Sequence, residues 1–205
     1  MASLSPVPVP DAIAYVRAAL PPPPARVLEI GAGSGELAGV LTAAGYDVTA
    51  IDPQGEPPVL AVALEDLEAP ARHFDAAVAM VSLHHVVPLG KSLRRLSEVL
   101  RRGARLVIDE FDVDQLDERA AAWWLKHAGE DHQHPADHVA KMREHIDSVA
   151  RIRTELAAWF DLSEAVPGAY LYRWKVDPAL RAEEEAAIAA GALPATGCRF
   201  IAIRR

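Results

Sequence analysis

The sequence predicts a single α/β domain built on a doubly wound, mostly parallel sheet. Residues 27–37 have the pattern of a buried strand, a glycine turn and the first turn of a helix. Residues 74–81 are almost wholly apolar, which is typical of a strand that helices cover on both faces. Between residues 26 and 111, short apolar runs alternate with helical periodicity, as in a parallel sheet with crossover helices.

The first half of the chain is divided by helix caps and breakers. Pro6, Pro8 and Pro10 predict an extended start, and Asp11 can cap a short helix that Pro21–Pro24 end. Glycines at 45 and 103 stop the next two predicted helices. The resulting elements are helix 12–20, strand 26–30, helix 36–44, strand 46–52, strand 59–64, strand 74–81, helix 89–101 and strand 105–111.

The pattern changes after residue 111. Strand-like runs are missing from 112–160, where helical periodicity predicts helices over 120–125 and 139–160. Residues 169–176 alternate aromatic and other side chains, which predicts a strand. A helix over 179–190 and a last strand over 197–203 complete the expected elements.

Composition narrows the classes of function. The 205 residues suit one domain with a sizeable core, and the net charge of −8 argues against nucleic acid as a partner. Cys198 is the single cysteine, which suits a reducing cytosol. The start of the chain lacks the pattern of a secretory leader, and no apolar run approaches membrane-spanning length. We therefore expect a cytoplasmic protein without a membrane segment.

The glycine turn indicates a ligand site. Gly31, Gly33 and Gly35 let backbone pass close to a ligand, and the following helix offers unpaired N–H groups. Glu29 precedes the turn, where a carboxylate would repel a pyrophosphate but attract an ammonium group. Asp52 ends the next predicted strand, the usual place for an acid that binds ribose hydroxyls. A nicotinamide site is the main competitor, but its third glycine comes one residue later than Gly35.

Four segments together resemble the class I S-adenosylmethionine-dependent methyltransferases, a Rossmann-like superfamily. They are Glu29-Ile30-Gly31-Ala32-Gly33-Ser34-Gly35, then Asp52, then Phe74–Val78 with Ser82-Leu83-His84-His85, and finally Leu96–Ile108. The resemblance covers roughly residues 26–110 and keeps the family's order of motifs. It implies a seven-stranded sheet whose last strand is antiparallel, with residues 112–160 as a helical insertion after strand five that covers the mouth of the site.

The resemblance also implies the residues that bind S-adenosylmethionine and, after reaction, S-adenosylhomocysteine. Glu29 would face the ammonium group and Asp52 the ribose diol. The segment that begins at Leu64 would face the adenine, through Glu65, Asp66 or backbone alone. The glycine turn would let the methionine portion lie against backbone. The expected cofactor-binding residues are Glu29, Gly31, Ala32, Gly33, Asp52, Pro53, Leu64, Glu65 and Ser82.

Candidate catalytic side chains follow the fourth and fifth strands. His84 and His85 lie beside the expected methyl donor, and either could act as a general base, with His85 slightly favoured. Glu110 ends the fifth strand, where a carboxylate could orient an amine or hydroxyl acceptor. Five histidines between 127 and 145 lack the spacing of a metal motif, and we expect a surface or lid position for them rather than a metal site.

The expected reaction is direct displacement of the methyl group by a small-molecule acceptor on oxygen, nitrogen or carbon. An insertion of about fifty residues favours an acceptor enclosed from water over a macromolecule on an open face. The alternatives are an enzyme that uses the same donor for aminocarboxypropyl transfer or cyclisation, a non-catalytic protein that binds the donor, and a nicotinamide oxidoreductase. The sequence predicts neither the acceptor nor the oligomeric state.

Overall fold

The computed structural model describes residues 10–130 and 132–205; most of the extended start predicted for residues 6–10 lies outside them. The helices are α1 (Pro10–Ala19), α2 (Glu36–Ala43), α3 (Leu89–Val99), α4 (Glu118–His127), α5 (Pro135–His145), α6 (Val149–Leu156) and α7 (Arg181–Ala189). The strands are β1 (Arg26–Ile30), β2 (Asp47–Asp52), β3 (Leu60–Ala61), β4 (Phe74–Met80), β5 (Leu100–Phe111), β6 (Phe160–Leu162), β7 (Val166–Gly168) and β8 (Gly197–Arg204).

All eight of these strands belong to one sheet, in the order β3-β2-β1-β4-β5-β8-β6, with β7 also paired to β8. Strands β1 to β5 are parallel, and β8 runs antiparallel to β5. The predicted fold class is therefore confirmed. The strand order reverses between β1 and β4, which is where open α/β sheets bind ligands at the carboxyl ends of their strands.

Helices cover both faces of the sheet. Val27 of β1 packs with α1 and α2, whereas its neighbour Leu28 faces the opposite core, which includes α3 and α6. The alternation follows from the two-residue period of a strand and makes successive residues of β1 point to opposite layers. It also places Glu29 on the same face as Val27, toward α2.

The segment 112–160 divides into two structural parts. Helices α4 and α5 pack on Val81 and Phe111 at the carboxyl edge of the sheet, together with Trp124 and Leu171. Helix α6 instead packs against the main core beside α3. The single helix predicted over 139–160 is thus wrong, because Ser148 caps a new helix by accepting a hydrogen bond from the backbone N–H of Arg151.

The strand predicted over 169–176 is also wrong, because residues 171–173 form a 3₁₀ turn. Glu184 of α7 is fully buried, and its carboxylate accepts hydrogen bonds from the backbone N–H groups of Tyr170, Leu171 and Tyr172 at 2.8–2.9 Å. These three bonds satisfy backbone N–H groups that would otherwise have paired with a neighbouring strand. The sixth and seventh strands are the short β6 and β7, which precede this turn.

Smaller differences concern element ends. The third strand keeps only two residues, and residues 64–66 form a 3₁₀ turn. Strand β5 begins at Leu100, earlier than predicted. No helix in residues 10–130 or 132–205 is long and apolar enough to cross a bilayer.

Replacing Glu184 by Gln should lower the free energy of unfolding by about 2–4 kcal/mol, because charged hydrogen bonds contribute more than neutral ones and an amide offers one acceptor oxygen to three donors. Urea denaturation measures the change. Glu185→Gln, on the exposed side of the same helix, is the control and should change stability by less than about 0.5 kcal/mol. Equal effects of the two substitutions would contradict this account of the turn.

Candidate functional site

The glycine turn after β1 folds back onto the end of β2. Gly31 and Gly33 have φ angles of 68° and 52°, a region that glycine enters at little cost. The backbone N–H groups of Gly31 and Ala32 both donate to the carbonyl oxygen of Ile51, at 2.9 and 3.0 Å. The turn is therefore held by main-chain bonds next to the last residue of β2.

Asp52 binds the same turn through its side chain. Its Oδ2 accepts a hydrogen bond from the backbone N–H of Gly33 at 3.0 Å, and its Oδ1 accepts one from Gln54 at 2.8 Å. The two motifs that the sequence predicted to share a site, residues 29–35 and Asp52, are thus in direct contact. The carboxylate is only half-buried, so its remaining lone pairs stay open to a ligand.

A second turn, after β4, crosses the first at very close range. The Ser82 hydroxyl donates to the carbonyl oxygen of Ile30 at 2.7 Å. A Cβ built on Gly31 would overlap the Cβ of Ser82, so only glycine permits this approach. Val81 enters the turn with a φ of 55°, an unfavourable conformation for a β-branched residue. Backbone strain of this kind persists where surrounding contacts fix the geometry, and it is concentrated at functional sites.

Glu110 holds the turn after β4 in place. It is fully buried, and its Oε1 accepts hydrogen bonds from the backbone N–H groups of Ser82 and Leu83 at 2.8 and 2.7 Å. Its Oε2 lies 2.6 Å from Nδ1 of His84. Both oxygens of Glu110 contact groups inside the protein, so this carboxylate orients the turn and His84. Its position does not fit the sequence-based expectation that it contacts an acceptor.

The two histidines of the turn differ in environment. His84 is buried, whereas His85 is exposed at its outer side; their ring centroids are 4.1 Å apart. Loss of solvent on its inner side and the neighbouring His84 lower the pKa of His85 below the usual range. The contact with Glu110 favours the His84 tautomer that carries its proton on Nδ1, which leaves a lone pair on Nε2.

Glu29 is a buried acid with one unpartnered oxygen. Its side chain is 4% exposed, and its Oε2 is buried without a hydrogen bond to any residue in the described ranges. Burial raises the pKa of Glu29 to about 8, and a backbone hydrogen bond from Ala38 opposes the rise in part. A buried carboxylate with an unused oxygen is a receptor for a cation or a hydrogen-bond donor.

The remaining predicted cofactor residues lie around the same strand ends. Ala32 is buried inside the turn, and Pro53 is exposed just after Asp52. Leu64 is buried, while the Glu65 Oε2 accepts a hydrogen bond from the hydroxyl of Ser92 at 2.9 Å. The carboxylate expected to bind adenine is therefore turned toward α3.

Sequence reasoning missed a chain of alternating charges beside this site. Asp109 of β5 accepts hydrogen bonds from Arg173 and Arg199 through one oxygen, at 2.9–3.1 Å. Arg199 also bonds Asp11 of α1, at 3.1 Å, and Asp11 pairs with Arg181 of α7, at 3.3 Å. No local sequence motif indicates this arrangement, because its five side chains come from five separate secondary-structure elements.

The histidine-rich segment does not assemble a metal centre among the residues that the structure describes. No group of three or more His, Cys, Asp or Glu side chains in those ranges has a geometry that would hold an ion. His138 instead stacks on Trp124, with 4.9 Å between ring centroids, and His127 lies 3.3 Å from Glu183. These side chains serve the packing of α4 and α5.

Comparison with known proteins gives the family. The family model described as a methyltransferase domain matches residues 8–161 of the 205-residue chain, so the chain belongs to that family. An uncharacterized methyltransferase of Staphylococcus carnosus is 38% identical over 76 residues. That match covers 33% of this chain and 37% of the relative's length.

Solved structures agree on the fold. An S-adenosylmethionine-dependent methyltransferase of Mesorhizobium loti superposes with a TM-score of 0.62 at 16% identity, over 95% of this chain and 97% of the other. A Burkholderia thailandensis 1,6-didemethyltoxoflavin N1-methyltransferase, crystallised with that compound and S-adenosylhomocysteine, gives 0.55 at 21% identity, over 94% of this chain and 75% of the other. At these identities the likeness establishes the fold alone.

The raised pKa of Glu29 predicts a specific dependence of stability on pH. Between the unfolded value of 4.5 and the folded value of about 8, the folded state holds a proton that the unfolded state has lost. Protein stability should therefore fall as pH rises through this window, by at most about 1.4 kcal/mol per pH unit from this group. Denaturation of the wild type and Glu29→Gln from pH 5 to pH 8 measures the difference.

Glu29→Gln should remove this contribution to the slope, because an amide does not titrate. Glu36→Gln, at the start of α2, is the matched control and should follow the wild-type curve. Parallel curves for the wild type and Glu29→Gln would show that Glu29 ionises freely in the folded protein.

Proposed function

We propose that this protein transfers the methyl group of S-adenosylmethionine to a small-molecule acceptor. The observation that carries the proposal is the buried, unpartnered Glu29 oxygen beside a glycine turn that Asp52 ties to β2. The unused Glu29 oxygen lacks a hydrogen-bond donor, and S-adenosylmethionine carries an ammonium group together with a ribose diol. The Glu29 carboxylate would bind the ammonium group, and the free lone pairs of Asp52 would accept from the ribose hydroxyls.

The donor supplies a methyl group on a positively charged sulfur, which an incoming nucleophile displaces with release of S-adenosylhomocysteine. Because the methyl group is already activated, the protein's main work is alignment and exclusion of water, and alignment alone can contribute about 7–11 kcal/mol. The turns at Gly31 and Ser82 would provide the alignment, since they lie too close for a Cβ on Gly31 and are fixed by a hydrogen bond from Ser82. Ala32, Gly33, Pro53 and Leu64 would complete the walls of the donor site.

Helices α4 and α5 support a small-molecule acceptor. They pack against Val81 and Phe111 and so cover the carboxyl edge next to the donor site. We assign them the role of the lid, and because α6 belongs to the main core, the lid is shorter than the expected segment 112–160. The structurally similar Burkholderia thailandensis N1-methyltransferase was crystallised with 1,6-didemethyltoxoflavin, which is consistent with a small-molecule acceptor.

We assign the proton-accepting role to His84 rather than His85. Glu110 fixes the ring of His84 and would stabilise the imidazolium that forms when Nε2 takes a proton from a hydroxyl or N–H acceptor. The lowered pKa of His85 makes it a poor proton acceptor. Glu110 is then a positioning residue, because it acts through His84 and the turn.

Replacing Asp52 by Ala should weaken binding of S-adenosylhomocysteine about 5- to 150-fold, the equivalent of 1–3 kcal/mol for unpaired ribose hydroxyls and a loosened turn. Titration calorimetry measures the affinity. Asp47→Ala, at the other end of β2 and exposed, is the matched control and should bind like the wild type. Wild-type affinity in Asp52→Ala would reject this donor site.

Replacing His84 by Gln should lower kcat by about 10²–10⁴ for an acceptor that must lose a proton, and leave affinity for S-adenosylhomocysteine unchanged. The assay screens phenols, amines and carboxylic acids with the donor and detects products by mass. Release of methylthioadenosine instead of S-adenosylhomocysteine would show aminocarboxypropyl chemistry. His85→Gln should have the smaller effect and His145→Gln none; an active His84→Gln enzyme would contradict the assignment.

A further inference from the structure

The chain of alternating charges has an incomplete inner end. In order it consists of Arg173, Asp109, Arg199, Asp11 and Arg181, and we call it the ion chain. Its outer end, Arg181, also pairs with Glu185 at 2.8 Å and is 41% exposed. Its inner end, Arg173, has a side chain that is 2% exposed and pairs only with Asp109 among the described residues.

Arg173 shares even that partner. The Asp109 Oδ2 atom accepts from Arg173 Nη1 at 3.0 Å and from two nitrogens of Arg199 at 3.1 and 2.9 Å. The Nε of Arg173 is buried and forms no hydrogen bond to any residue in the described ranges. A buried guanidinium with an unused donor and a shared counter-ion is unfavourable unless an anion completes it.

The position of Arg173 connects it to the proposed active site. The Asp109 carbonyl oxygen accepts from the backbone N–H of Val81 at 2.7 Å, and Val81 leads directly into the turn at Ser82. Asp109 lies on the same face of the sheet as Glu29, two strands away and two residues further along the register, which is ~12 Å at the usual strand spacing and rise. A cavity of about 140 Å³ lies beside the outer part of the ion chain, where Asp11, Asp109, Arg181 and Arg199 line it; Arg173 itself does not.

We propose that Arg173 binds a ligand carboxylate at the inner end of the ion chain. The inference rests on the proposed function, which supplies two sources of that group: the amino-acid tail of the methyl donor and an acidic acceptor. The planar guanidinium suits a carboxylate because its N–H groups match the two oxygens. Glu184 supports the arrangement, since its bonds to residues 170–172 fix the turn that presents Arg173.

The experiment first compares two probes on the wild type by calorimetry: S-adenosylhomocysteine and its decarboxylated analogue. If Arg173 binds the donor's carboxylate, the complete molecule should bind about 10- to 100-fold tighter. Arg173→Met should abolish the difference by weakening only the complete molecule. Arg94→Met, an exposed residue of α3, is the control and should preserve it.

The second arm saturates the protein with S-adenosylhomocysteine and adds acetate or benzoate, each against its neutral amide. If the carboxylate belongs to the acceptor, the acids but not the amides should raise the melting temperature of the wild type, and Arg173→Met should lose this response. Arg173→Lys keeps the positive charge and replaces Arg173→Met in the experiment if the methionine variant does not fold. This lysine variant should retain part of the wild-type response to the acids.

Equal affinity of the wild type for both donor probes, together with no selective response to the acids, would overturn the inference and leave the proposed function intact. Failure of the wild type to bind S-adenosylhomocysteine at all would instead reject the proposed function. The two failures are therefore distinguishable.

Discussion

The site depends on one close crossing, where the turn after β1 meets the turn after β4 at Gly31 and Ser82. The Ser82 hydroxyl closes this contact on the carbonyl oxygen of Ile30, so the ends of two neighbouring strands are fixed relative to each other. Any side chain at Gly31 would force the turns apart. The strand order also reverses at these two strands. The crossing therefore lies at the carboxyl ends of the strands, where open α/β sheets bind their ligands.

Three carboxylates stabilise the turns around that crossing through the same kind of hydrogen bond. Asp52, Glu110 and Glu184 each accept hydrogen bonds from backbone N–H groups of a turn that has no ladder partner. An acceptor with two oxygens can satisfy several such donors at once, and unsatisfied buried N–H groups would otherwise destabilise the turn. Glu29 breaks this rule, since one of its oxygens is buried and unused, and that exception marks the place where a ligand is needed.

The sequence predicted the strands that carry the site and the pairing of residues 29–35 with Asp52, because glycine turns and apolar strands leave local patterns. It did not predict the turn at 171–173, because the alternating Tyr170, Tyr172 and Trp174 have the period of a strand. The hydrogen bonds that stabilise the turn instead come from Glu184, twelve or more residues away in the sequence. The role of Glu110 was missed for a related reason. A carboxylate that binds backbone inside the protein and one that binds a ligand have the same sequence pattern, and only burial separates them.

Glu29 and Arg173 together would let the proposed site favour a zwitterionic ligand. One is a buried acid without a cation, and the other is a buried cation that shares its only acid. Glu29 of β1 and Asp109 of β5, the partner of Arg173, lie on one face of the sheet on opposite sides of β4. Under the proposal, a ligand with an ammonium and a carboxylate group would complete both Glu29 and Arg173. A neutral ligand would leave both defects in place, and a ligand with a single charge would leave one. Under the proposed function, these two unsatisfied groups would select against wrong ligands as much as attract the right one, which would give the site specificity for its donor.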